Sequence, residues 1–230
     1  MATISRFVQL LEKKLPAGPG MFNPWRDYDR ENEIGSEGPA IRRRQLEHYL
    51  ETRAGKARYI LIAEAFGYQG GHFTGIAMTS ERILLGHLAH KGVQPRDVLP
   101  SLKPERTSKP ELRPTGFNEP TATIVWSHLL ACGFRGSDFV LWNAVPWQPY
   151  HLKKGLLSNR TPSADEEARG MDVLGEIRVL FPRSEIIALG KVSQRSLAAS
   201  GCLCKMVRHP AMGGATLFRN QMSALLLLPS

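Results

Sequence analysis

Four short apolar runs, Tyr59 to Ala63, Phe139 to Trp142, Glu185 to Leu189 and Leu203 to Val207, are separated along the chain by stretches of helical periodicity. Runs of this length read as strands buried on both faces, and the intervals leave room for helical crossovers. Strands alternating with helices predict an α/β protein: a three-layer α/β/α sandwich around a central four-stranded, mostly parallel sheet. Helices are expected over Ile41 to Thr52, Ser80 to His90, Ala122 to Ala131, Ala164 to Leu180, Val192 to Ala199 and Ala215 to Leu225. Ser163 and Glu166 form a capping-box pattern, and Gly133 stands where a helix would end. Gln94 to Pro120, rich in Pro and basic residues, reads as a long surface connection.

A chain of 230 residues is within reach of one hydrophobic core, so residues 1–230 are expected to form a single domain, with 1–55 an N-terminal helical segment and 56–230 the core. Hydrophobic residues make up 42% and charged residues 22%, which excludes a disordered chain. No run approaches the ~20 apolar residues of a membrane span. The segment Met1 to Leu15 carries Glu12 and lacks the compact apolar stretch of a secretory signal. A cytoplasmic monomer with no membrane partner is expected. Three cysteines, Cys132, Cys202 and Cys204, read as reduced thiols and are too few for a four-thiolate iron–sulfur cluster, so no metal and no cofactor are expected. Thirty Lys and Arg against 21 Asp and Glu give a net charge of +9, which favours a polyanionic partner through counterion release. Arg42, Arg43 and Arg44 run together, and Arg96, Lys103, Arg106, Lys109 and Arg113 line the Pro-rich connection, a distribution that points to nucleic acid.

Each predicted strand runs into a segment suited to ligand binding. The first leads into Glu64-Ala65-Phe66-Gly67-Tyr68-Gln69-Gly70-Gly71-His72-Phe73, the second into Asn143, the third into Gly190 and the fourth into Arg208-His209-Pro210. Open α/β sheets bind ligands at the carboxyl ends of their strands, where all four segments would meet.

The residue types suggest roles there. The amide of Asn143 offers an acceptor and two donors, which match the N3–H donor and O4 acceptor of a uracil ring. His209 can present an imidazole donor to a departing base, whose negative charge develops near O2. Glu64 can orient or activate water with its carboxylate, while glycines bring backbone N–H groups close to a ring. Phe66, Tyr68 and Phe73 offer faces for base stacking.

These residues resemble the uracil-DNA glycosylase superfamily. Glu64-Ala65-Phe66-Gly67 is similar to the Gly-Glu-Ala-Pro-Gly loop of its iron–sulfur branch, and Thr74-Gly75-Ile76-Ala77-Met78 resembles the Thr-Gly-x-Pro-Phe segment that follows. Leu141-Trp142-Asn143 is similar to the strand that ends in the uracil-reading Asn, Ile186 to Gly190 to the strand–turn before a helix, and His209-Pro210-Ala211 to the His-Pro-Ser motif. The matches keep their order from Tyr59 to Met222. The resemblance implies a flipped deoxyuridine with Asn143 on its Watson–Crick edge, His209 near O2, and Ala65, Phe66, Tyr68, Phe73 and Met78 around the base. It implies uracil-containing DNA as the partner, Met212 as a wedge in the loop with Gly213 and Gly214, and Arg208, Lys205 and Arg219 on phosphates. Ala65 stands where some branches carry a water-orienting Asp or Asn, Phe66 replaces a proline, and Met78 replaces the stacking phenylalanine. The implied protein is a divergent, cluster-free glycosylase that leans on leaving-group stabilisation. Two other readings are a protein that binds uracil or damaged DNA without turnover, or traps it covalently through a nucleophile such as His72, and a hydrolase of phosphorylated small molecules using the Gly-rich loop.

Overall fold

The four apolar runs become β2 (Tyr59–Ala65), β3 (Phe139–Val145), β5 (Glu185–Leu189) and β6 (Lys205–Val207), a wholly parallel sheet in the order β3-β2-β5-β6. The computed structural model describes residues 3–14 and 18–227, so Met1, Ala2 and Leu15 of the amino-terminal segment lie outside the described residues. Before the sheet come α1 (Ile4–Lys13), β1 (Met21–Phe22) and α2 (Gly38–Glu51). Three short helices, α3 (Gly71–Thr74), α4 (Glu81–Leu84) and α5 (Pro95–Val98), precede α6 (Pro120–Ala131). After β3, the two-residue strand β4 (Gln148–Pro149) pairs antiparallel with β1. The remaining helices are α7 (Ala164–Leu180), α8 (Lys191–Ala199) and α9 (Ala215–Leu227).

Strand order determines the layers. The step from β2 to β3 runs one way across the sheet and the step from β3 to β5 runs back, so right-handed crossovers put α6 on one face and α7 with α8 on the other. Trp126 of α6 packs on Phe139 at 4.9 Å between ring centroids, while α7 contacts β3 and α8 contacts β2 and β5. Strand β3 is an edge, and an unpaired edge invites association. Here α2 and the turn after it cover it: the Leu141 N–H donates to the Tyr49 hydroxyl at 2.8 Å, and Arg53 Nε donates to the Phe139 carbonyl at 3.0 Å. Residues ahead of 56 join the same buried cluster as the sheet, Phe7, Leu11, Trp25 and Leu46 among them. No helix of the described residues is long and apolar enough to cross a membrane.

Several expectations need correction. Ser80 to His90 is not one helix: α4 stops at Leu84, Gly86 turns left-handed (φ 81°), and a separate turn follows at Ala89–Lys91. The fourth strand is shorter than its apolar run, since Leu203 and Cys204 precede β6, while the three cysteines are free thiols as expected. The connection from Gln94 to Pro120 is stitched down, because the Glu81 carboxylate accepts the N–H groups of Thr107 and Ser108, each at 2.9 Å, and the Ser108 hydroxyl.

The Arg42-Arg43-Arg44 run is not an open cationic patch. Arg42 is fully buried against Glu33 and donates to the carbonyls of Pro24 and Asp27. Arg43 pairs with Glu12 and Arg44 with Glu105. Five fixed N–H donors suit arginine to satisfying the carbonyls of irregular backbone, which the segment before α2 supplies in number. Lys109 and Arg106 serve the same purpose, donating to the carbonyls of Arg30 and Glu31 and of Ser108 and Pro114.

Candidate active site

In the order β3-β2-β5-β6, the connections leaving β2 and β5 diverge, and a crevice opens between them at the carboxyl ends of the strands. Two adjoining clefts of 790 and 700 Å³ lie at this end of the sheet and share Glu64, His209 and Met212 as a common wall. Ala65, Phe66, Gly67, Met78 and Glu119 line the first; Gly190, Arg208 and Ala211 line the second.

His209 follows β6, and three close approaches hold it. Gly190 takes φ 91°, a left-handed conformation that favours glycine, donates its N–H to the Val207 carbonyl at 2.8 Å, and packs tightly on His209, since a Cβ there would stand 3.1 Å from His209 Cβ. Gly214 lies against the His209 carbonyl oxygen. The Ala211 N–H donates to His209 Nδ1 at 3.2 Å. An Nδ1 that accepts cannot carry the proton of a neutral imidazole, so that proton sits on Nε2. Burial, with Arg208 adding to it, lowers the imidazole pKa and keeps the ring neutral at physiological pH.

Asn143 lies on β3 in register with Ala63, a cleft residue of β2, but is not itself among the residues that line either cleft. It is 1% exposed, and its Oδ1 is buried without a hydrogen-bond partner. A buried acceptor left unpaired costs ~1–3 kcal/mol, which a ligand donor would recover. Gly170 of α7 packs on the Ala144 carbonyl so closely that a Cβ would overlap it, which seats this strand end firmly.

Glu64, the penultimate residue of β2, is half-buried, and burial and nearby Glu167 raise its carboxyl pKa against the pull of Arg195. Phe66 is buried edge-on to Trp25 at 5.4 Å and rests on the bare Cα of Gly71. Met78 adopts φ 46°, unusual for a side-chain-bearing residue, where Trp126 Nε1 donates to its carbonyl at 3.2 Å. Both Phe66 and Met78 reach the first cleft.

Other residues singled out from the sequence lie elsewhere. Phe73 is fully buried, stacked on Phe117 at 4.3 Å, and its ring serves the core rather than either cleft. Tyr68 is tied by its N–H to Asn159 Oδ1 at 3.0 Å and is not among the residues that line the clefts. Lys205 stands at the start of β6, pairs with Glu185 at 2.8 Å, and borders a groove at the amino-terminal ends of β5 and β6, away from the clefts. Arg219 sits beside His128 of α6. His72 is no nucleophile: it is fully buried, both ring nitrogens engaged by Gln148 and Asp29, with Phe22 stacked on it at 4.1 Å.

The loop after His209 carries exposed groups. Met212 is 93% exposed at φ 53°, with Gly213 beside it at φ 75°. The exposed Arg208 has its N–H anchored on Gln221 Oε1 at 2.6 Å. Among the described residues no group of three or more His, Cys, Asp or Glu is arranged to hold a metal ion.

Sequence reasoning missed the far wall of the first cleft, which His151, Asn159, Arg160, Glu119 and Thr121 form. Arg160 is held bidentately by Glu166, at 2.7 and 2.6 Å. Glu119-Pro120 at a helix start was the one local signal, and it says nothing about a cleft.

Fold and crevice together define an open, doubly wound α/β protein with clefts at a strand switch point. No family model matches the sequence, and no curated protein matches it significantly. Among solved structures, wild-type SMUG2 of Pedobacter heparinus is similar, with a TM-score of 0.62 over 98% of this chain and 97% of that one. Identity is 14%, so the likeness is one of fold.

Proposed function

We propose that the chain is a monofunctional DNA glycosylase that hydrolyses the N-glycosidic bond of deoxyuridine in DNA, releasing uracil and leaving an abasic site. The observation that carries this reading is His209: neutral, held by Ala211 as its Nε2–H tautomer, and set on the wall common to both clefts. A neutral imidazole fixed as a donor suits a leaving base that gathers negative charge. One preorganised donor is worth roughly 3 kcal/mol, or ~10²-fold in rate.

The other parts fit the same chemistry. The unpartnered Oδ1 of Asn143 would accept the N3–H of a flipped uracil, while its amide donates to O4. Ala65, Phe66 and Met78 would enclose the ring, and Glu64 would orient water at the shared wall. Met212 would fill the gap left by the flipped base, offsetting an unstacking cost of a few kcal/mol, with Gly213 and Gly214 giving the loop its shape. Arg208 would contact phosphate. The fold shared with SMUG2 and the ordered sequence resemblance support the reading.

The test is incubation of the purified chain with an oligonucleotide bearing one uracil, followed by alkaline scission. Abasic product is expected from the wild type, ~10²-fold less from His209→Ala with DNA affinity kept, and loss of base selectivity in Asn143→Ala. Intact uracil under all conditions of pH and salt would overturn the reading.

A further inference from the structure

Glu119 is the second acidic residue lining the first cleft, beside Glu64 of β2. It immediately precedes α6, where a side chain ordinarily caps the helix, yet it makes no capping bond. Its Oε2 is buried without any hydrogen-bond partner, and so is Oδ1 of the preceding Asn118. The carboxyl packs on the bare Cα of Gly70, where a Cβ would overlap it, so the Gly-rich loop is shaped around this group. A carboxylate desolvated in this way is costly to the fold unless a donor completes it. No donor among the described residues does so, and the cleft it lines is the place where water or a substrate would stand.

We infer that Glu119 is the catalytic base, accepting a proton from the water that attacks the deoxyribose C1′. This rests on the glycosylase reading and supplies the group left missing where Ala65 replaces an acidic or amide side chain. The water oxygen bonds to C1′ as the N-glycosidic bond breaks, and that bond's electron pair leaves with the base, held by the His209 Nε2–H. The water proton passes to the Glu119 carboxylate and from there to solvent, so charge and atoms balance without a co-reactant.

Burial raises the Glu119 carboxyl to about 7. The other titratable or charged groups lining the cleft are Glu64, His151, Arg160 and His209, and Arg160 is already paired with Glu166. A base tuned near the working pH transfers protons efficiently and contributes ~10²–10⁴-fold.

The experiment compares wild type, Glu119→Gln, Glu119→Ala and His209→Ala on the uracil oligonucleotide, with thermal unfolding of each. Glu119→Gln should lower kcat about 100-fold, keep KM within about twofold, and lose the rise in rate through about pH 7. Its Tm should stay level or rise, since a desolvated carboxylate is gone. Formate added to Glu119→Ala should restore part of the rate. Glu119→Gln turning over like wild type, or a rate loss that tracks a lowered Tm and resists formate, overturns the inference while an inactive His209→Ala leaves the glycosylase reading standing. A wild type that releases no uracil overturns both.

Discussion

Gly214 and His209 are locked together: the Cα of Gly214 lies so near the His209 carbonyl oxygen that any Cβ would overlap it. The loop that presents the imidazole is thus shaped by a residue five positions later. Gly214→Ala should push the loop outward and misplace Nε2. A shift of about 1 Å can cost ~10²-fold in rate. Rates on a uracil oligonucleotide beside a Tm measurement check this; unchanged turnover would show that the contact is not needed.

Met212 combines 93% exposure with φ 53°, a conformation that costs a side-chain-bearing residue roughly 1 kcal/mol. Met212→Gly should relieve that cost, leaving Tm level or slightly raised. Without the wedge, activity on duplex should fall about tenfold while activity on single strands holds, since single strands need no unstacking. Parallel assays on the two substrates read the difference, and equal losses on both would remove Met212 from the wedge role.

Two arginines should behave oppositely. Arg42→Met strips the partner from buried Glu33, which costs ~3–5 kcal/mol and lowers Tm by roughly 10 °C for a chain of this size, with no change in the salt dependence of DNA binding. Arg208→Ala should leave Tm unchanged and reduce the slope of log affinity against log salt by about 1. Binding titrations at several salt concentrations separate them.

Glu119 should also leave a mark on stability. Its folded pKa, about 7, lies above the ordinary 4.5, so the folded state holds the proton more tightly than the unfolded one. The stability this contributes is complete below 4.5 and is lost as pH rises through about 7. The Tm of Glu119→Gln minus that of wild type should therefore grow by a few degrees between pH about 5 and about 8. A difference independent of pH would contradict the desolvated carboxyl.

The strand–helix alternation was legible because it is written in local periodicity. β5 and α7 match their expected spans, and β2, β3, α6, α8 and α9 differ by one to three residues at their ends. Ser80 to His90 misread because one glycine, Gly86, outweighed a helical pattern by turning left-handed. Charge misled for a related reason. A run of three arginines looks alike whether it meets phosphate or backbone carbonyls, and only the irregular segment folded over α2 shows that Arg42 meets the latter.

By itself the sequence determined the layered parallel sheet, the ends of its strands as the place where ligand-type residues collect, and the presence there of Glu64, Asn143 and His209. Tertiary structure alone decided which of the nominated side chains line the crevice and which are consumed by packing: Phe66 and Met78 in, Phe73 and His72 out. It alone revealed Glu119, distant in sequence from every motif and brought to the cleft by the approach of α6 to Gly70. The reason is physical. Periodicity reports whether a residue is buried, but whether a buried polar atom finds a partner depends on neighbours from other segments, which no local pattern records.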